Sequence, residues 1–563
     1  MMEFVPVRRS ATMRSRLSRR RFLAGAGAGF AGLLAACSGP AEDHMAEPYS
    51  SGAADPSPTP SVTAENPAAA ANTAPGLAPA QTDPRSGEVG APFPTPPVPT
   101  VDESSSGASE TIRGSASVTV DFIPIVSRRL QMTEISHKNL LKVWNGEITN
   151  WNELGEPESR PIQRVSVEGS TGPLPLDRID VNIEHLDDLE GFLHFQSGAI
   201  ALLPREQVNF RFRRLRVDHT DYLIHPDASN PLRTTIDVNP RSPEHFHLLR
   251  TRGAGPDPVS MTWVGDIIFG RFVHRRLEDI GDFAASFWNI HPELTWADLT
   301  IGNLECALSD NYPQPEDPQT FSFKTWTEAV EGLKLAQIDV LSRANNHSFN
   351  FGSGGMNDTS AVLDEAGIKH FGMGHNLDEA RRAVVVEKNG VTYAFLGYNG
   401  ISDDYDGAGP DNAGTMPLET DYVVQDIERE LAAGHVVIPY FHWGVEYVAD
   451  PSEEQRYFAQ LAIDHGASLV MGSHPHWVQA VETYRGKAIV YSLGNFIFDQ
   501  SWSVETTQGM IAHIWMKGAD VLSIDLVPIV IENEHRPRVM NPQEAVPVLN
   551  RVWEASERII VNG

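Results

Sequence analysis

The chain has 563 residues, with 44 lysines and arginines against 74 aspartates and glutamates, and a formal net charge of −30. That length exceeds what one hydrophobic core organises, so more than one domain is expected, and the acidity argues against nucleic acid as the main partner. The two cysteines, Cys37 and Cys306, exclude a disulfide-stapled fold once Cys37 is assigned elsewhere.

Residues 1–36 read as an export signal. They hold seven arginines and one acid, Glu3. Ser18-Arg19-Arg20-Arg21-Phe22-Leu23 has the twin-arginine pattern, and a small apolar run from Ala24 to Ala36 follows it. That run is too short for a permanent membrane helix. It closes in Leu34-Ala35-Ala36-Cys37, which resembles a bacterial lipobox and makes Cys37 the lipidated first residue of an extracytoplasmic, membrane-anchored lipoprotein. An ordinary cleaved signal beside an incidental cysteine is the other reading. Residues 37–114 are rich in Pro, Ala, Ser, Thr and Gly and poor in large apolar side chains. They bury too little surface to offset ordering, so a disordered tether is expected, with a glycosylated stalk as the alternative.

Residues 115–253 form a first, smaller α/β region. A strand is expected over Ala116–Val126 and a short helix over Ser136–Trp144. The stretch Leu141-Lys142-Val143-Trp144-Asn145-Gly146-Glu147-Ile148-Thr149-Asn150-Trp151 resembles the signature of periplasmic phosphate-binding proteins, and the likeness runs through Pro161-Ile162 to Gly169-Ser170-Thr171-Gly172. In that family a Gly-Ser-Gly-Thr loop at a helix N-terminus holds the anion with backbone N–H groups. Here the order is changed, Pro173 follows, and Glu168 sets a negative charge beside the loop. A remnant used for packing or partner contact is therefore expected ahead of a phosphate receptor.

From Val259 to the end, strands alternate with helices. Strands are expected at Val259–Ile268, Leu299–Asn303, Val340–Ala344, Val391–Tyr398, His435–Phe441 and Ser468–Met471. Helices are expected near Glu328–Gln337, Asp358–Ala366, Tyr422–Ala433 and Glu453–His465. Period-two strands follow at Gln479–Thr483, Ala488–Ser492, Gly509–Met516 and Val521–Ile531, and Gln543–Ile560 reads as a closing helix.

The strand ends of this region carry the chemistry. In order they give Asp266, Asn303 and Glu305, Asn346 and His347, His442, and His474-Pro475-His476, where a turn at Gly472 and Pro475 can bring both rings to one point. Imidazole and carboxylate are common metal ligands, and open α/β sheets place their sites at the C-terminal ends of strands. Singly, Asp266 reads as a helix cap, Asn346 as a turn residue and His442 as a satisfied core histidine. Five such positions in order point to a metal site. Cys306, beside Glu305, reads as a buried structural thiol.

Gly265-Asp266-Ile267-Ile268-Phe269-Gly270-Arg271, Asn303-Leu304-Glu305, Asn345-Asn346-His347, His442-Trp443-Gly444, Gly472-Ser473-His474-Pro475-His476 and Tyr491-Ser492-Leu493-Gly494-Asn495-Phe496 together resemble the CapA/PgsA family of poly-γ-glutamate capsule synthesis proteins, which share the calcineurin-like metallophosphoesterase fold. The fold implied is a four-layer αββα sandwich over residues 259–563, preceded by the smaller α/β domain and the tether. The resemblance implies one or two divalent metals (Mn, Fe or Zn) held by Asp266, Glu305, Asn346, His442, His474 and His476. Asp266 and His476 would serve the first metal, Asn346, His442 and His474 the second, with Glu305 bridging. It further implies His347 as general acid at the leaving group and Arg271 as a partner for an anionic substrate, with Asn303 nearby. Glu446 stands as a substitute ligand or base, or on the rim. Two departures accompany it: Ile268 stands where the phosphoesterases have a histidine ligand, and Asn350 where the family usually has an aspartate. The function implied is capsule synthesis or export, with the site cleaving or gripping an acidic polymer or its precursor. The alternative is a non-catalytic assembly factor of a membrane capsule synthase complex.

Overall fold

The computed structural model describes residues 116–167, 172–226, 229–238, 256–317 and 320–562. The expected signal, Cys37 and the tether lie outside them, as does loop 168–171, on which the phosphate-receptor comparison turns.

The first lobe is built on β1 (Ala116–Val126), as its alternation predicts. Ser136 caps α1 (His137–Trp144) by accepting from the Asn139 N–H. The stretch after it makes a single 3₁₀ turn, Trp151–Leu154, closed by a reciprocal Asn150/Glu153 capping box and ended by Gly155 at φ 100°. The Trp151 indole donates to the Gly198 carbonyl at 2.9 Å, which fixes that turn against the sheet. The lobe continues through β2 (Gln163–Val167), β3 (Val181–Ile183), α2 (Leu186–Phe195), β4 (Ala199–Pro204), β5 (Arg213–Arg214) and β6 (Arg233–Val238). The sheet order is β3-β2-β4-β1-β5, with β6 along the first half of β1.

The second lobe opens with β7 (Val259–Ile267), every residue of which is buried. Strands covered on both faces read as continuous apolar runs. Next come α3 (Arg271–Ile280), β8 (Leu299–Leu304), α4 (Val330–Leu335), β9 (Val340–Ser342), α5 (Gly352–Glu365) and β10 (Lys369–Phe371). A second series follows: β11 (Val384–Lys388), β12 (Val391–Asn399), α6 (Thr420–Ala432), β13 (Val436–His442), α7 (Glu453–Asp464), β14 (Leu469–Ser473), β15 (Val481–Tyr484) and β16 (Lys487–Val490). The chain then returns to the first sheet as β17 (Asn495–Ile497), β18 (Gln508–Lys517), β19 (Asp520–Glu532) and β20 (Arg536–Val539), and ends in α8 (Pro542–Asn562).

These strands make an eight-stranded sheet, β10-β9-β8-β7-β18-β19-β20 with β17 also on β7, and a six-stranded sheet, β11-β12-β13-β14-β16-β15. Met261, Trp263, Ile301 and Val340 of the first meet Phe395, Ile438, Tyr440 and Met471 of the second in one buried cluster. Trp263 and Tyr440 stack there with ring centroids 6.1 Å apart. On the outer face of the eight-stranded sheet, Val264 and Ile267 pack with Leu277 of α3, Leu333 of α4 and Leu363 of α5. On that of the six-stranded sheet, Phe441 and Val470 pack with Ile427 of α6 and Phe458 of α7. The layers are therefore helix, sheet, sheet, helix.

Two helices differ from their sequence patterns. α5 begins at Gly352, ahead of the expected Asp358, through a glycine-rich turn that reads as loop. Those glycines are there for contact: a Cβ at Gly354 would sit 1.8 Å from the Tyr312 hydroxyl, and one at Gly355 2.5 Å from Phe351 Cβ. α3, absent from the expected helices, sets Val273, Leu277 and Ile280 on one face and is anchored by buried Val273, His274 and Leu277.

Both lobes fall within one compact unit. Trp515 and Leu522, on β18 and β19, pack against the first lobe's core. Arg214 pairs with Asp525 at 3.1 Å, and Arg129 with Glu557 on α8. Among the described residues no helix is long and apolar enough to cross a membrane.

Candidate metal centre

The site lies where the two sheets present their C-terminal strand ends. β7 delivers Asp266 through an unusually close approach to β17: a Cβ on Gly265 would fall 1.9 Å from the Gly494 carbonyl oxygen, and the Asp266 N–H donates to that same oxygen at 3.1 Å. Asp266 is fully buried. One carboxylate oxygen accepts from Asn303 Nδ2 at 2.8 Å, and the other lies 3.5 Å from His476 Nδ1. Burial alone would raise its pKa, but the hydrogen bond and charge of His476, the neighbouring His442 and the Asn303 hydrogen bond together hold it below the usual carboxylate range.

Glu305 follows β8 directly and is also fully buried. Neither carboxylate oxygen has a hydrogen-bond partner among the described residues. The nearest ionisable contact, His442 Nε2 at 3.4 Å, lacks hydrogen-bond geometry. Burial and the Asp266 charge push its pKa well above the ordinary value. An orphaned buried carboxylate is costly unless a cation completes it.

His442 ends β13, with Nδ1 2.9 Å from Ser473 Oγ and Nε2 2.6 Å from Asn346 Oδ1. Burial drives its pKa down to about 3, so the ring is neutral, as a ligand must be. β14 carries on through Gly472 to Ser473, so the turn expected at Gly472 starts later. His474 and His476 themselves take positive φ, 97° and 57°. Such backbone costs roughly 1–3 kcal/mol per residue, and it swings both rings inward, their centroids 5.8 Å apart. His474 Nδ1 is buried without a hydrogen-bond partner, and burial lowers its pKa well below the ordinary value. His476 Nδ1 faces Asn495 Oδ1 at 2.9 Å, while Asn495 Nδ2 donates to the Thr506 carbonyl. That fixes the amide's orientation, so Nδ1 keeps a proton and Nε2 is the nitrogen that a metal would take in exchange for the ring's second proton. Burial pulls the His476 pKa down, but the Asp266 hydrogen bond and the charges of Glu305, Asp266 and Glu446 raise it to about 9.

These ligand atoms converge in two triads, Asp266–Glu305–His442 and Glu305–His474–His476, each with its atoms within 4.8 Å of one another. Glu305 belongs to both, the position of a bridging carboxylate. The triads group His476 with His474, whereas the resemblance assigns those two to different metals. The orphaned atoms of Glu305 and His474 and the mixed carboxylate–imidazole set fit a divalent cation.

The remaining expected residues sit as follows. Asn303 is buried with its amide already engaged, donating to Asp266 and accepting from Asn345 Nδ2 at 2.9 Å, so it braces a ligand and does not face substrate. Arg271, at φ 53°, donates through Nε to Asp499 Oδ2 at 3.1 Å and lies over the rings of Phe323 and Phe498. Its charge is therefore matched by Asp499. His347 is held by Asn350: the Asn350 Oδ1 accepts from the Phe323 N–H, which makes the 3.0 Å contact to His347 Nδ1 an Nδ1–H donation. Asparagine thus replaces the usual aspartate as orienting group. Burial drives the His347 pKa down to about 3, against hydrogen bonds to Asn350 and to the Phe321 backbone that favour the charged ring. Ile268 is buried in the apolar cluster on the helical side, leaving no ligand there. Cys306 lies in the same cluster, its thiol pushed up to about 12 by burial. Glu446 is half buried, close enough for its charge to act on Glu305 and His476.

Sequence reasoning passed over Asn345, Ser473 and Asn495 as supporting residues. Asn345 staples the β9 loop by donating to the Leu304 carbonyl and accepting from the Ser348 N–H, both at 2.8 Å. The available signal was their place inside the quoted motifs.

A family model described as "Bacterial capsule synthesis protein PGA_cap" matches residues 260–500. The PGA biosynthesis protein CapA of Bacillus subtilis is 32% identical over 278 residues, covering 49% of this chain and 72% of that protein. Among solved structures, the calcineurin-like phosphoesterase YfkN from Bacillus subtilis aligns with 55% of this chain and 99% of its own at 13% identity and a TM-score of 0.31. A phosphate ABC transporter substrate-binding protein from Clostridium perfringens aligns with 24% of this chain and 67% of its own, at 15% identity and a TM-score of 0.20.

Proposed function

The chain belongs to the bacterial capsule synthesis family described by that model, and on that footing we propose that it serves capsule or poly-γ-glutamate synthesis as an exported lipoprotein, anchored through Cys37, whose divalent-metal centre acts on or holds the acidic polymer or its precursor. The observation that carries the metal reading is Glu305, a fully buried carboxylate with both oxygens unpartnered and shared by two ligand triads.

A divalent cation bound there supplies positive charge to a phosphoryl or carbonyl oxygen and lowers the pKa of a water. The chain's own residues set the geometry. Asn303 keeps Asp266 aimed, Asn495 turns His476, and Ser473 holds His442 through Nδ1, so that Nε2 and the adjacent Asn346 Oδ1 face the centre together. His347, held by Asn350, is the proton-transfer residue of this reading, the general acid at the leaving group. An acidic protein needs bound cations to hold a polyanion, which suits such a centre. A membrane capsule synthase complex is the partner this reading implies.

Holding without cleavage is the second reading, and Ile268 favours it, because the first metal loses the ligand that phosphoesterases place there. Metal analysis of the purified protein beside Asp266→Ala and His474→Ala tests the centre, with reduced metal expected in both variants. A wild type without divalent metal defeats the proposal. Metal without turnover of phosphoester or γ-glutamyl substrates selects the holding role.

A further inference from the structure

An aromatic strip leads from buried His476 to the surface. The Tyr447 ring stacks on His476 with centroids 6.2 Å apart and planes 29° from parallel. Trp502 meets Tyr447 edge-on at 4.5 Å and is 52% exposed. Tyr447 is rigid: its backbone is at φ 65°, its N–H donates to the Pro475 carbonyl at 2.8 Å, and its hydroxyl accepts from Gln500 Nε2 at 3.1 Å. The two residues come from different sheets, Tyr447 from the loop after β13 and Trp502 from the loop after β17, so the strip bridges the edge of the sandwich. The same loops also expose Val445, Val448 and Val504. Scattered exposed apolar residues are ordinary, but several on two adjoining loops beside a buried polar centre mark a binding surface.

We propose that Tyr447 and Trp502 form a platform on which the ligand lies as it enters the metal centre, so that the site takes an extended chain with apolar stretches between its oxygen-bearing groups and not a compact phosphate ester. This rests on the polymer reading above. A γ-linked glutamate chain repeats an amide, a carboxylate-bearing carbon and two methylenes. The methylenes supply flat apolar surface for the indole, while the amide and carboxylate oxygens are what a cation accepts. Free glutamate and inorganic phosphate lack the repeated apolar stretch.

Calorimetry on the manganese-loaded full-length protein, with a γ-glutamate tetramer, free glutamate and inorganic phosphate as probes, tests this. Trp502→Ala, at an exposed position, should weaken tetramer binding about fivefold or more, the size of one aromatic contact, with metal content and phosphate affinity unchanged. Trp502→Phe should retain most of the tetramer affinity. Equal tetramer binding by wild type and Trp502→Ala overturns the platform while leaving the polymer reading intact. A metal-loaded wild type that binds no tetramer defeats the polymer reading and the platform with it. Phosphate affinity lost together with tetramer affinity in Trp502→Ala overturns the preference for a chain.

Discussion

Glu305 concentrates the conflict between folding and function in one side chain. Its buried, unpartnered carboxyl costs stability in the metal-free protein, because the charged form loses its hydration without a counterion and the protonated form that burial favours still lacks hydrogen-bond partners. In chelator-treated protein, Glu305→Gln should therefore unfold at the same or a higher temperature than wild type, by a margin on the order of 1–3 kcal/mol. On adding manganese the ranking reverses, since only the wild type gains the binding free energy, about 2.7 kcal/mol at a hundredfold excess over Kd. Thermal melts with and without metal check both halves; a metal-free variant less stable than wild type would sink the argument. The carboxylate's role was legible from its place after an apolar strand. Its lack of partners was not, because that depends on how Asn303 on β8, the strand it follows, and His442 and His476 from two other elements, spend their hydrogen bonds on other groups.

At the scale of elements, the informative feature is the end of β14. Glycine inside a strand is ordinarily a weakness, and alanine there an improvement of roughly 0.5–1 kcal/mol. Gly472 inverts that expectation: a Cβ would stand 2.4 Å from both Trp443 Nε1 and the Tyr491 carbonyl oxygen. Gly472→Ala must push β14 away from β13 and β16, so it should destabilise by about 2 kcal/mol or more and weaken metal binding, because His474 and His476 hang from the displaced strand. Urea denaturation and a metal titration read the two effects; unchanged metal affinity would mean that the histidine turn is set independently of the strand. The motif around Gly472 is visible in sequence. Its reason is steric and lies in Trp443 and Tyr491, residues remote along the chain.

The whole molecule joins two lobes through charged and aromatic contacts, and its pH response should be felt at that junction. His194, at the end of α2, lies 3.5 Å from Glu557 on α8. Burial, with the charges of Arg128 and Arg129, pulls its pKa from 6.5 to about 4 against the opposing pull of Glu557. A histidine with its folded pKa below its unfolded one contributes stability that is fully present above pH 6.5 and is lost as pH falls toward 4. The melting temperature should therefore drop through that window, and His194→Gln should make the drop shallower without removing it, since His347 and His370 are shifted the same way. An unchanged slope in the variant would show that the junction does not sense acid through this residue.

By itself the sequence determined the strand–helix alternation, the strand ends that carry polar side chains, and the order of the ligands. These depend on local periodicity and on residues close in the chain, from the apolar run of β7 to the Ser452/Gln455 capping box of α7. Only the tertiary structure decided that His476 turns Nδ1 to Asn495, that both oxygens of Glu305 are left unpartnered, and that Arg271 is matched by Asp499. Those properties are set by burial and by partners tens or hundreds of residues away, such as Asp499 for Arg271 and Asn495 for His476. Hydrogen bonds and desolvation act through space, and no spacing along the chain encodes them.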